Sequence, residues 1–127
     1  MFQIHLKARG CSGRGVRYRV LKPKEIDHHE IEAGKAVGKE GTIAEYNVEV
    51  KRMGLAAMVC EYTAPGLKEI GGAQWTKATA EQLDTGWDDI FNTKDTSILR
   101  EIYNVEHGTS RVEVDDILAG KAEVLAD

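Results

Sequence analysis

At 127 residues the chain has the length of one ordinary domain, and its 42% hydrophobic and 30% charged residues make a globular mix that excludes a disordered or low-complexity protein. The longest unbroken apolar run, Leu55 to Cys60, falls far short of the roughly 20 residues of a spanning helix, so no membrane crossing is expected. The net charge of −4 is unevenly spread: the first twenty-four residues carry Lys7, Arg9, Arg14, Arg17, Arg19, Lys22 and Lys24 and no acid, whereas from Met53 onward six Lys/Arg face fourteen Asp/Glu.

Phe2, Ile4 and Leu6 alternate with Gln3, His5 and Lys7, and Val16, Tyr18 and Val20 alternate with Arg17 and Arg19. This is the period of two of half-buried strands. Between them Arg9-Gly10-Cys11-Ser12-Gly13-Arg14-Gly15 holds three glycines able to take positive φ, which predicts a seven-residue antiparallel hairpin loop. On that hairpin Phe2, Ile4, Leu6, Val16, Tyr18 and Val20 form an apolar face. His5, Lys7, Arg17 and Arg19 form a solvent face with Arg9 and Arg14 at the loop, and such like charges are best tolerated where something anionic lies opposite.

Pro23 stops the second strand and suits a first helical turn, so a helix is expected from Lys24 to about Lys39, with Ile26, Ala33 and Val37 as a thin stripe and a break near Gly41. Thr42-Ile43-Ala44-Glu45 is a capping box that opens a central helix, in which Ile43, Tyr46, Val50, Met53 and Ala57 make a core stripe as far as about Val59. Turn signals at Ala64-Pro65-Gly66 and Gly71-Gly72 predict a loop with short extended pieces from Glu61 to Lys77. A short amphipathic helix follows from Thr79 to about Ile90, carrying Leu83, Trp87 and Ile90. Asn92 or Thr93 then caps a helix bearing Ile98, Leu99, Ile102 and Tyr103 that ends before Gly108. A second capping box, Ser110 to Glu113, opens a last helix with Val114, Ile117 and Leu118, and Ala122, Val124 and Leu125 close the chain.

The expected fold class is therefore α+β: an N-terminal antiparallel β-hairpin followed by a mostly α-helical bundle of about four to five helices. It is read as a single domain over residues 1–127, with the basic hairpin at 1–22, helices at 23–60, a joint at 61–78 and helices at 79–127.

No catalytic signature emerges. The glycine-rich loop lacks the strand-before, helix-after context of a phosphate-binding loop. Asp27-His28-His29-Glu30 with Glu32 has permissive spacing for a metal but not a metalloprotease pattern, and a solvated helix face is expected. Asp84, Asp88, Asp89 and Asp95 follow no calcium-loop spacing and read as surface and capping residues. Cys11 and Cys60 read as reduced thiols, Cys11 lacking a His base. Trp75 and Trp87 read as core or interface anchors lying outside the basic region. No catalytic residue, metal ligand, cofactor or small-molecule substrate is expected.

A short β-hairpin ahead of several helices, with the segment Phe91-Asn92-Thr93-Lys94-Asp95-Thr96-Ser97-Ile98-Leu99-Arg100-Glu101-Ile102-Tyr103 and its Asp95…Leu99…Tyr103 spacing, resembles small morphogenesis proteins of tailed bacteriophages, of the tail assembly chaperone type. The resemblance implies a non-enzymatic assembly or virion structural protein that acts by protein–protein contacts with phage-type structural proteins or by self-association. It also implies work in the host cytoplasm, with a place in the virion as the variant. The strongly basic hairpin departs from that pattern. Its residues Lys7, Arg9, Arg14, Arg17 and Arg19 are the candidate interaction face, for an acidic protein surface or, alternatively, for nucleic acid. The overall acidity, with a pI near 5.6, favours the protein partner.

Overall fold

The computed structural model describes residues 1–108 and 114–118. In chain order the elements are β1 (Phe2–His5), β2 (Gly15–Tyr18), α1 (Pro23–Val37), α2 (Ile43–Met58), β3 (Val59–Tyr62), β4 (Thr76–Lys77), α3 (Ala80–Ile90), α4 (Thr93–Glu106) and α5 (Val114–Leu118). An antiparallel strand pair followed by helices, five in all among the described residues, makes the fold α+β, as the periodicities predict. None of these helices is long and apolar enough to cross a membrane. The second capping box and the closing apolar residues expected from the sequence lie outside the described residues.

The hairpin pairs Phe2 with Tyr18, Gln3 with Arg17, Ile4 with Val16 and His5 with Gly15. The ladder runs on past β1, because Leu6 N–H donates to Arg14 O and Gly13 N–H to Leu6 O. Ile4, Leu6, Val16 and Tyr18 are buried as the alternation requires, whereas Phe2 and Val20, expected on the same apolar face, are exposed at the open end of the hairpin.

The short extended pieces expected between Glu61 and Lys77 are the strands β3 and β4 at the two ends of that segment. α2 passes directly into β3, and β3 and β4 extend the hairpin into a four-stranded antiparallel sheet of order β1-β2-β3-β4. Edge hydrogen-bonding groups of β2, which would otherwise face solvent, thus pair with β3, through a register of Val16 to Tyr62, Arg17 to Glu61 and, after a bulge, Tyr18 to Val59.

Helix starts follow local chemistry. Thr42 accepts from Glu45 N–H at 3.1 Å while the Glu45 carboxylate accepts from Thr42 N–H at 3.3 Å. Thr79 with Gln82 and Asn92 with Asp95 close equivalent boxes at α3 and α4. One hydrophobic cluster joins the hairpin to the C-terminal end of α2, to β3, and to Leu83, Phe91, Ile98, Leu99, Ile102, Tyr103 and Ile117.

The stripe expected along α2 is displaced. Gly54, Leu55, Ala56 and Met58 are the buried residues, Tyr46, Val50, Met53 and Ala57 are half-buried, and Ile43 is exposed. α2 packs on α1, α3 and α4, and its buried residues are confined to its last turns. α1 and α2 pair as a two-helix arm, in which Ala33 is the one buried residue of α1.

Candidate functional site

The five basic residues that the sequence singles out divide into two groups. Lys7 and Arg9 are exposed, and neither forms an ion pair among the described residues. Arg14, Arg17 and Arg19 are half-buried and engaged within the chain. The anionic surface that the hairpin charges call for is thus partly built in.

Arg17 sits at the centre of the outer sheet face. Its Nη1 donates to Glu61 Oε2 at 3.2 Å and its Nε to Gln3 Oε1 at 3.0 Å, while its guanidinium lies 3.9 Å from the centroid of the Trp75 ring. Strand register creates this arrangement, since Gln3, Arg17, Glu61 and Lys77 are successive cross-strand partners over all four strands. Trp75 consequently lies in the basic region, contrary to the expectation that it stands apart.

Arg19 makes a two-pronged contact with Glu25 at 2.8 and 2.6 Å, tying the exit of β2 to the first turn of α1. The hydrogen bond from Arg19 holds the Glu25 carboxyl down at about 2; the Lys22 backbone N–H and the Arg19 charge add to this, while desolvation opposes it. Arg14 donates to Thr63 O at 2.6 Å and lies 5.5 Å from the centroid of the Tyr62 ring.

The hairpin loop is docked on two sides. Asp95, expected as a surface and capping residue, caps α4 with Asn92 but is fully buried. Its Oδ1 accepts from Ser12 N–H at 3.0 Å and its Oδ2 from Asn92 N–H at 3.3 Å, while Asn92 Nδ2 donates to Gly10 O at 3.1 Å. From the other side Gly66 N–H donates to Ser12 O at 2.7 Å, and His5 Nε2 lies within 3.0 Å of both Gly13 O and Leu67 O. Gly13, at φ +85°, has no room for a Cβ, which would come within 2.9 Å of Gly66 N.

The other candidates resolve individually. His28 is exposed and His29 half-buried, and the burial of His29 pushes its pKa down, with the His28 charge adding to the shift. No group of three or more His, Cys, Asp or Glu that could hold a metal is found among the described residues. Asp84, Asp88 and Asp89 are exposed, with Asp84 paired to Arg52. Cys11 and Cys60 are half-buried thiols, neither of them in a disulfide. Trp87 donates to Thr96 Oγ1 at 2.9 Å and packs against Phe91.

Sequence patterning does not reveal the exposed apolar residues. On the α1–α2 arm Ile31, Ile43 and Val48 are 59%, 80% and 54% exposed; at the open end of the hairpin Met1, Phe2 and Val20 are 76%, 51% and 39% exposed. A groove of about 440 Å³ between the arm helices is lined by Ala36, Val37, Ala44, Glu45, Val48 and Glu49. No family model, curated protein or solved structure matches this chain.

Proposed function

We propose that the chain is a non-enzymatic assembly or virion structural protein of the tailed-phage type, acting through protein–protein contacts. What supports this reading above all is the α1–α2 arm, which carries Ile31, Ile43 and Val48 into solvent. Large apolar side chains left in solvent on one helix pair offer a partner apolar surface to bury. Lys7 and Arg9, which stand clear of internal ion pairs among the described residues, are the hairpin residues assigned to an acidic partner. Arg14, Arg17 and Arg19 have the prior task of holding the sheet, loop and first helix together. On this reading the protein works in the host cytoplasm, with retention in the virion as the variant.

The test is light scattering at low and high salt, with and without generic double-stranded DNA. Association with protein, insensitive to DNA, is the expected outcome. A monomer that binds DNA with a steep salt dependence overturns the reading in favour of a nucleic-acid module.

A further inference from the structure

We infer that the cavity between α2, α3 and α4 binds a free α-amino acid with an apolar side chain, its ammonium held by Asp88 and its carboxylate by Arg100. The assembly reading neither requires this site nor depends on it.

The cavity measures about 210 Å³. Leu55 and Leu83, both buried, line its inner end, and half-buried Trp87 adds an aromatic wall. The Trp87 Nε1–H donates to Thr96 Oγ1 at 2.9 Å, which fixes the ring. A branched aliphatic group placed here leaves water for apolar and aromatic neighbours.

Polar groups around the cavity are committed within the chain, with two exceptions. Arg52 pairs with Glu49 at 2.7 Å and with Asp84. The Thr96 hydroxyl donates to Asn92 O at 2.9 Å, and that of Thr85 to Gln82 O at 3.2 Å. Asp88 and Arg100 remain: both are exposed, and neither forms an ion pair, with the other or elsewhere, among the described residues. The same two side chains line a larger cleft of about 770 Å³ that runs along α4. They therefore stand where cavity and cleft meet, one on α3 and the other on α4, as opposite charges that do not touch.

This arrangement selects its occupant by charge. An anion alone would be drawn to Arg100 and repelled by Asp88, and a cation alone would meet the reverse. Arg52 and Asp84 offset one another and favour neither, and in the outer cleft Lys51 and Glu101 are likewise of opposite sign. A molecule with an ammonium, a carboxylate and an aliphatic group on one carbon satisfies cavity and mouth together. That is a zwitterionic α-amino acid. A residue at a peptide terminus keeps only one of the two charges, so the free molecule is the match.

The test titrates L-leucine into the full chain by calorimetry and follows the two indole N–H resonances by heteronuclear NMR. Saturable binding of one leucine per chain is expected, with the Trp87 resonance shifted and that of Trp75 unmoved. Isoamylamine, which lacks the carboxylate, isocaproate, which lacks the ammonium, and glycine, which lacks the side chain, should each bind at least about tenfold more weakly. Asp88→Asn and Arg100→Gln should keep the native circular dichroism and each weaken leucine about tenfold or more.

No heat and no Trp87 shift at up to about 10 mM leucine overturns the inference. Equal binding of leucine and either single-charge analogue overturns it by removing the zwitterion, and wild-type affinity in both variants overturns it by moving bound leucine out of this cavity. The analogue series needs no variant, so it decides the matter even where a substitution alters the fold.

Discussion

Arg17 on β2 and Glu61 on β3 face one another in register, and their side chains meet at 3.2 Å on the outer face of the sheet. The pair explains how a basic hairpin is accommodated in an acidic chain: its central charge is matched across the strand and covered by Trp75. Because Arg17 remains a third exposed, the ion pair is discounted for solvent, and its coupling should be about 0.5 kcal/mol, within the range of exposed pairs. Arg17→Ala, which also loses the ring contact, is expected to cost about 1 kcal/mol. Urea unfolding of the Arg17→Ala, Glu61→Ala and double variants checks both values. Strict additivity of the two single changes would show that the pair is uncoupled.

Asp95 does two structural jobs with one carboxylate, capping α4 and accepting the Ser12 amide of a loop 83 residues away. Asp95→Ala removes a capping acceptor and leaves a loop donor without its partner, so a loss of about 2–3 kcal/mol is expected. Asp95→Asn keeps one acceptor oxygen and should lose less. Hydrogen exchange at the Ser12 amide distinguishes the loop contribution, since it should quicken in Asp95→Ala well before global unfolding. Unchanged protection at Ser12 would mean that the loop is held by its other contacts, from Asn92, His5 and Gly66, without Asp95.

The contrast between these two sites shows what the sequence discloses. Alternation in residues 2–7 and 16–20 and the Thr42/Glu45 box are local signals, so the hairpin and the start of α2 can be read directly. The passage from Met58 to Val59 carries no glycine, proline or polar break, so β3 is invisible as a separate element until β2 supplies the pairing edge. Trp75 joins the basic face only because β3 and β4 bring it to Arg17, a placement no spacing encodes. Asn92 and Asp95 announce a helix cap, but the burial of Asp95 depends on a loop distant in sequence. The exposed arm was obscured for a related reason: periodicity identifies which face of α2 is apolar, not how far along the helix the core extends.

Gly54 is required by a close approach. A Cβ on it would lie 2.4 Å from Cε2 of Tyr103, whose ring is buried between α2 and α4. Alanine improves intrinsic helix propensity by about 1 kcal/mol, but forcing the two helices apart costs about 1–3 kcal/mol, so Gly54→Ala should be destabilising overall. The penalty should shrink in a Tyr103→Leu background, where the obstructing ring is absent. Thermal unfolding of the four proteins of this cycle provides the check, and an equal penalty in both backgrounds would place the strain elsewhere.

Two titrating groups set opposite limits on stability. Glu25 has its pKa lowered from 4.5 to about 2, chiefly by the hydrogen bond from Arg19. Since the folded form holds the carboxylate more strongly than the unfolded chain, its contribution is present above about 4.5 and disappears as pH falls toward about 2. Tyr18 is raised from 10.0 to about 12, chiefly by burial with the Glu106 charge adding to it. Here the folded state favours the protonated phenol, so the contribution is full below 10.0 and is lost as pH climbs toward about 12. Melting temperature followed across the pH range should therefore fall at both ends. Glu25→Gln should flatten the acid limb and leave the alkaline one, and Tyr18→Phe should do the reverse. An acid limb unchanged by Glu25→Gln would assign acid lability to other carboxylates, and an alkaline limb unchanged by Tyr18→Phe would move that loss away from the hairpin core.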